Sequence, residues 1–332
     1  MTSRKRELPR ADRVVPGLWR LRLPLPWPGV PHGNAYAIAA GDGVVLVDTG
    51  LHEPGSLRRL ELALDQAGLR LELVRLLVCT HAHSDHYGMA APITERAGCE
   101  LWMHPDHEHM TKAASEPERA FEGRLEIARQ SGVPAKSLAA YEAARRSERF
   151  GVAEIVLPDR DLVDGVEVDT DLGRWRVYET PGHAPSHVVL HQPERGLLLS
   201  GDHLLGRVSL YYDFGHSPDP AGEFLASLDR VDALDVQLIL AGHGRPVRDA
   251  RALSEANRRA VHERLGRVRE SIAGGPRAAF DIVPEMLDHE LPGMMMIGWG
   301  LSEALCYLRH LELRGEATRL EDGGLERWAR AG

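Results

Sequence analysis

The segment Thr80-His81-Ala82-His83-Ser84-Asp85-His86 sets three imidazoles and a carboxylate close together in the chain. Neutral imidazole and carboxylate are the ligands that suit zinc and related divalent ions. The apolar run Leu76 to Val78 stops just before this segment, and a helix is expected from about Gly88. A strand therefore ends where four potential ligands begin. Alternation aims His81 and His83 to one side, which leaves the adjacent Asp85 and His86 to face a second ion. Three further turns repeat the pattern, each with a His or Asp next to a Gly after a strand. They are Thr180-Pro181-Gly182-His183, Ser200-Gly201-Asp202-His203 and Ala241-Gly242-His243-Gly244. A His after a Gly is more often a turn residue than a ligand. Four such segments in a chain with 17 histidines make metal chemistry the better reading.

Placing these turns requires strands and helices in a definite order. Short runs rich in Val, Leu and Ile read as buried strands: Ala35–Ala39, Val44–Val47, Val74–Val78, Val188–His191, Leu197–Leu199 and Leu238–Leu240. Helical patterns lie between some of them, at Ser56–Ala67, Gly88–Ala97 and Pro220–Val231. Strand-only stretches at Val14–Val47 and Leu162–Leu199 point to two sheets covered by helices rather than one parallel barrel. From Pro105 to Phe150 the pattern is helical and highly charged, with a break at Gly132–Pro134. It reads as an insertion over the main domain, either a solvated excursion or a substrate-covering lid. After Val247, helices are expected at Ala250–Ile272, Asp281–Leu287 and Leu301–Leu313. A hairpin follows at Ala317–Trp328 around Asp322-Gly323-Gly324. The expected division is a catalytic domain over 1–247 and a small winged-helix-like domain over 248–332.

Composition narrows the function classes. The 332 residues are 43% hydrophobic and 27% charged, an ordinary globular balance that can bury a sizeable core. A net charge of −9 offers no general attraction for nucleic acid or anionic lipid. Cys79, Cys99 and Cys306 are scattered and odd in number, which fits a reducing compartment rather than a disulfide framework. No apolar run follows the charged start of the chain, and no stretch of about 18 apolar residues occurs. A cytoplasmic location without membrane association is therefore the expectation.

The four ligand segments, with Val47-Asp48-Thr49-Gly50 ahead of them, resemble the metallo-β-lactamase superfamily over about Val14 to Val247. The resemblance implies an αββα sandwich of α/β class, with the metal site at one edge. It implies that His81, His83 and His183 hold one metal, that Asp85, His86 and His243 hold another, and that Asp202 bridges them. Two divalent ions are implied, zinc first, with iron or manganese as alternatives. Metal-bound hydroxide would then attack the substrate, and Asp85 would also orient that nucleophile as the catalytic residue. The agreement of Ser200–Gly206 and Gly242–Gly244, running into the tail, is similar to the lactamase-beta-2-like, hydroxyacylglutathione hydrolase-like subgroup.

Departures from relatives bear on substrate. After Asp202, glyoxalase II enzymes carry a Cys-Gly segment with basic and aromatic glutathione contacts. This chain reads Arg207-Val208-Ser209-Leu210-Tyr211-Tyr212-Asp213, which argues against glutathione. Acyl-homoserine lactonases place a Tyr where Leu205 stands. Secreted β-lactamases usually lack the bridging Asp. The expectation is thus hydrolysis of a thioester or activated ester of a small molecule, with a phosphodiesterase, ribonuclease or lactonase as alternatives. An iron-dependent oxygenase on the same fold would need a mononuclear site. Tyr211, Tyr212 and Arg207 are candidate substrate contacts, the tyrosines equally readable as packing. The tail carries 13 Arg and 14 Asp plus Glu from Arg248 onward, so it lacks the basic stripe of a nucleic-acid binder. The Pro292–Met296 run reads as adaptable core, subunit contact or acyl pocket, and a homodimer is left open. His104, His107 and His109 read as ordinary residues of the insertion, and His187 and His203 as packing or supporting groups.

Overall fold

The computed structural model describes residues 8–27, 29–145, 151–206, 210–289 and 293–332. Strands β1 (Arg10–Val15), β2 (Leu18–Trp27), β3 (Val30–Ala40), β4 (Gly43–Val47), β5 (Val74–Val78), β6 (Glu100–Met103) and β7 (Arg160–Asp161) form one sheet in chain order. Its first four strands are antiparallel, and from β4 onward neighbours run parallel. The second sheet has the order β12-β11-β10-β9-β8. Its strands are β8 (Glu167–Thr170), β9 (Gly173–Glu179), β10 (Val188–Gln192), β11 (Leu197–Gly201) and β12 (Leu238–Ala241), with β11 and β12 parallel. A third sheet joins β13 (Arg277–Ala278) to the hairpin β14 (Ala317–Asp322) and β15 (Leu325–Arg330).

The period of two along each strand explains the layering. On β4, Val45 and Val47 enter the core between the sheets with Trp175, Leu190 and Leu199, while Val44 and Leu46 face the opposite layer. That layer holds α1 (Ser56–Gln66), the short turn α2 (Ser84–Tyr87) and α3 (Ala90–Ala97). The insertion supplies α4 (Glu108–Ser115), α5 (Pro117–Gln130) and α6 (Ala135–Arg145). Pro117 starts α5 because the first helical turn needs no N–H from it. Residues 146–150 of the expected insertion lie outside the described residues.

The outer face of the second sheet is covered by α7 (Pro220–Asp232) and by the C-terminal helices. These are α8 (Ala250–Ser271), α9 (Ala279–Leu287), α10 (Gly293–Met295), a π-helical turn over Met296–Gly300 and α11 (Leu301–Leu313). One continuous apolar core runs from Leu198 and Ile239 of the sheet through Phe224 and Leu228 to Val261, Ile282 and Leu308. Leu125, Ala128 and Tyr141 of the insertion join it. The C-terminal part is a small domain of helices and a sheet, and it shares this core with the sandwich. The fold is the expected α/β arrangement of helix, sheet, sheet and helix layers. No helix among the described residues is long and apolar enough to cross a membrane.

Candidate metal centre

Five turns converge where strands of both sheets end. Thr80–His86 follows β5, Asp48 follows β4, His183 lies between β9 and β10, Asp202 follows β11 and His243 follows β12. Sheet one clamps the last of these across the edge. Asn34 donates its backbone N–H to Gly242 O at 2.7 Å, and Tyr36 donates its hydroxyl to Ala241 O at 2.7 Å. Gly242 cannot be replaced here, since a Cβ would stand 2.2 Å from Asp202 Oδ1 and 2.7 Å from His86 Cε1. Asp48 adopts φ 63°, unusual for a residue with a side chain. That turn aims its carboxylate back at the loop, where it accepts Thr80 N–H at 2.8 Å and lies 2.8 Å from His86 Nδ1.

Each of the five imidazoles has one nitrogen held by the protein. Thr80 Oγ1 lies 3.1 Å from His81 Nδ1, and Asp213 Oδ2 lies 2.8 Å from His83 Nε2. Asp48 takes His86 Nδ1, the Tyr211 carbonyl takes His183 Nδ1 at 3.1 Å, and the His32 carbonyl takes His243 Nδ1 at 3.1 Å. A ring nitrogen facing a carbonyl or carboxylate carries the proton, so the other is bare in the neutral ring. Those other nitrogens face a common space. His81 Nε2, His86 Nε2, Asp85 Oδ2 and Asp202 Oδ1 are buried with no hydrogen-bond partner. His83 Nδ1 and His183 Nε2 face each other across 2.9 Å. His243 Nε2 lies 3.1 Å from Asp85 Oδ2 and 3.2 Å from Asp202 Oδ2. Buried polar atoms left unpaired cost about 1–3 kcal/mol each, more when charged. Cations at this point would answer all of them.

Charge divides the centre in two. Around His81, His83 and His183 the donors are all imidazole. Burial pulls His81 well below its ordinary pKa and lowers His183 to about 4. Around Asp85, His86 and His243 the carboxylates dominate. Burial pulls His86 and His243 down, but Asp85 and Asp202 outweigh it, lifting His86 well above the usual value and His243 to about 10. Burial pushes the two carboxyls up, and the imidazoles more than reverse that. Asp202 stands between both groups, 3.4 Å from His86 Nε2 and 3.7 Å from His183 Nε2.

The other singled-out residues fall in varied places. Tyr211 flanks His83 and His183, with ring centroids 5.9 and 5.7 Å away, but its hydroxyl donates to Asp213 Oδ1 at 2.9 Å. Tyr212 takes the packing alternative: it is fully buried against Phe224 and Tyr307 and does not face the centre. Arg207 lies outside the described residues. His187 supports Asp202, whose N–H donates to His187 Nε2 at 3.0 Å, while His203 packs on Phe224. Asp213 gave no sign of a role in the sequence, and His109 read there as an ordinary residue of a charged insertion. The structure buries His109 and places its Nδ1 2.9 Å from Asp213 Oδ2. Both residues are distant in sequence from the ligand segments, so no local spacing signalled them.

The chain is similar to known proteins in sequence and in fold. A family model described as metallo-beta-lactamase superfamily matches residues 28–243. The chain is 27% identical over 275 residues to the probable metallo-hydrolase YqjP of Bacillus subtilis, covering 80% of this chain and 83% of that protein. It is 26% identical over 205 residues to the hydroxyacylglutathione hydrolase GloC of Haemophilus influenzae, covering 60% of this chain and 79% of that one. A metallo-beta-lactamase family protein from Thermus thermophilus superposes with a TM-score of 0.81 at 29% identity. That superposition covers 96% of this chain and 100% of the other.

Proposed function

The chain belongs to the metallo-beta-lactamase superfamily, and on that premise we propose that it hydrolyses a thioester or activated ester of a small molecule using two divalent cations, zinc first. The observation that carries this reading is the set of bare, buried donor atoms facing one space while the far side of every imidazole is tied to the protein. His81, His83 and His183 would hold one ion, Asp85, His86 and His243 the other, with Asp202 shared. Divalent ions bound there would supply a water of lowered pKa, roughly 7, and Lewis-acid polarisation of the scissile oxygen. Asp85 accepts the proton side of the attacking water and orients it toward the substrate. Asp202 keeps the two donor groups at a fixed separation. Asp48 and Asp213 keep His86 and His83 turned with the correct nitrogen inward.

A relative named as a hydroxyacylglutathione hydrolase makes thioesters the first class to try. Against a nucleic-acid substrate stands the burial of α11, whose Leu301, Ala304, Leu305, Leu308 and Leu311 lie inside the shared core. A helix committed to the core on that side has little face to lay in a groove. The test is a screen of full-length, metal-quantified protein against thioesters, esters, lactones, phosphodiesters and RNA. Thioester or ester cleavage that is abolished by chelation and restored by zinc supports the reading. Cleavage of RNA or phosphodiesters with the esters untouched contradicts it.

A further inference from the structure

Two of the inward-facing imidazoles are backed by carboxylates, one in each half of the centre. Asp48 backs His86 from the turn after β4, where Thr80 fixes it through its N–H and hydroxyl. Asp213 backs His83 from a different direction. It sits in the loop between β11 and α7, and its Oδ2 is shared between His83 Nε2 at 2.8 Å and His109 Nδ1 at 2.9 Å. Tyr211 donates to the other oxygen, and the Asp213 backbone N–H donates to the His183 carbonyl at 3.2 Å. His109 belongs to α4 of the insertion. Its Nε2 lies 2.8 Å from Ser186 Oγ, which accepts the N–H of Ala82 between the two histidines of the loop. Ser186 can satisfy both contacts by accepting from Ala82 and donating its hydroxyl to His109 Nε2. His109 Nδ1 then lies 2.9 Å from Asp213 Oδ2, a close contact without the alignment of a hydrogen bond.

We propose that Asp213, braced by His109, is the positioning residue of His83 and couples the helical insertion to the first metal; this rests on the two-metal reading above. Nδ1 of His83 is free for a ligand bond only while Nε2 carries the proton, and Asp213 is the acceptor that holds it there. Removing such an outer carboxylate weakens metal binding by about 10–100-fold in comparable sites. His109 extends the chain of contacts into α4. Linkage then runs both ways: metal at His83 fixes Asp213, and Asp213 fixes α4.

The experiment uses full-length wild type, Asp213→Asn, Asp213→Ala and His109→Gln. Zinc affinity is measured by chelator competition for each equivalent, and hydrogen exchange over α4 is followed with and without zinc. Asp213→Asn is close in shape and guards against a variant that fails to fold. The expected result is about a 10–100-fold loss for one zinc equivalent in both Asp213 variants, with the other equivalent within about threefold. His109→Gln shows a smaller loss in the same equivalent. Zinc slows exchange in α4 of wild type but not of Asp213→Asn. Unchanged affinity for both equivalents in the Asp213 variants overturns the proposal. So does a third zinc in wild type that His109→Gln removes, because His83, His109 and Asp213 would then be a metal site themselves. A wild type that takes up no tight zinc sinks the two-metal reading itself, a failure distinct from the first two.

Discussion

The metal cleft and the C-terminal core both bury charge, and they answer it differently. In the core, Arg264 of α8 reaches Glu303 of α11, so a buried carboxylate meets its cation within the protein. In the cleft, Asp85 and Asp202 lie among five imidazoles, and His81 Nε2, His86 Nε2, Asp85 Oδ2 and Asp202 Oδ1 have no hydrogen-bond partner. The insertion histidines sharpen the contrast. His104 Nε2 lies 2.8 Å from Glu179 and its Nδ1 accepts the Asp106 N–H, while His107 Nδ1 meets Thr111 Oγ1 at 3.0 Å. Three histidines within a few residues therefore occur twice in this chain, and in the second set His104 and His107 are satisfied away from the centre while His109 reaches its edge. Density of His does not mark a ligand set. Bare buried nitrogens that share a focus do.

The largest effect that could break this comparison is expected at Asp202. Asp202→Ala removes the group common to both halves, and the carboxylate-rich half should lose its ion first. Metal content should fall from two per chain, and turnover should fall by more than ~100-fold, beyond the effect of losing an outer partner. The fold should survive, because Asp202 stands in a turn; circular dichroism and plasma emission analysis check both points. Two metals and near-normal turnover in this variant would remove the bridging role.

Arg264→Met tests the other region. It removes the cation from Glu303, whose pKa burial already pushes up to about 7, so the carboxyl takes up a proton and the cost is about 1–3 kcal/mol. Chemical denaturation should register that loss, while zinc affinity per folded chain stays unchanged. A stability loss under about 1 kcal/mol would mean the core does not need the pair and the contrast is weaker than drawn.

Much of this was legible in the residues. The continuous apolar runs at Val44–Val47 and Leu197–Leu199 marked strands of both sheets, and the Gly-flanked turns marked where they end. Thr80–His86 carried four of the converging residues, His81, His83, Asp85 and His86, in one short segment. The contact of Asp213 with His109 was not legible, because it depends on an insertion folding back over a loop from the other sheet. The role of Tyr212 was ambiguous for a similar reason. Its neighbour Tyr211 faces the centre, and only the position of α11 decides that Tyr212 turns away toward Tyr307. The expected break at Gly132–Pro134 was found between α5 and α6, but the earlier break before Pro117 was missed.

Two smaller effects refine the comparison within the histidines. Asp48→Asn should weaken zinc at the His86 half by about 10–100-fold while leaving the His83 half within a few-fold. A two-equivalent chelator titration reads this, and loss of the opposite equivalent would reverse the assignment of halves. His107→Ala deletes a buried ring whose contacts end inside the protein, so it should cost stability of about 1–2 kcal/mol and leave zinc affinity within about twofold. A marked fall in zinc affinity there would show that satisfied histidines also belong to the centre.

The central claim is that the bare donor atoms are a two-metal site. Anomalous diffraction at the zinc edge from crystals of the zinc-loaded, full-length protein tests it most directly. Two peaks roughly 3.5–4 Å apart are expected. One should lie within about 2.0–2.2 Å of His81, His83 and His183 donors, the other likewise near Asp85, His86 and His243, with Asp202 touching both. A single peak, or peaks outside this ring of residues, would contradict it.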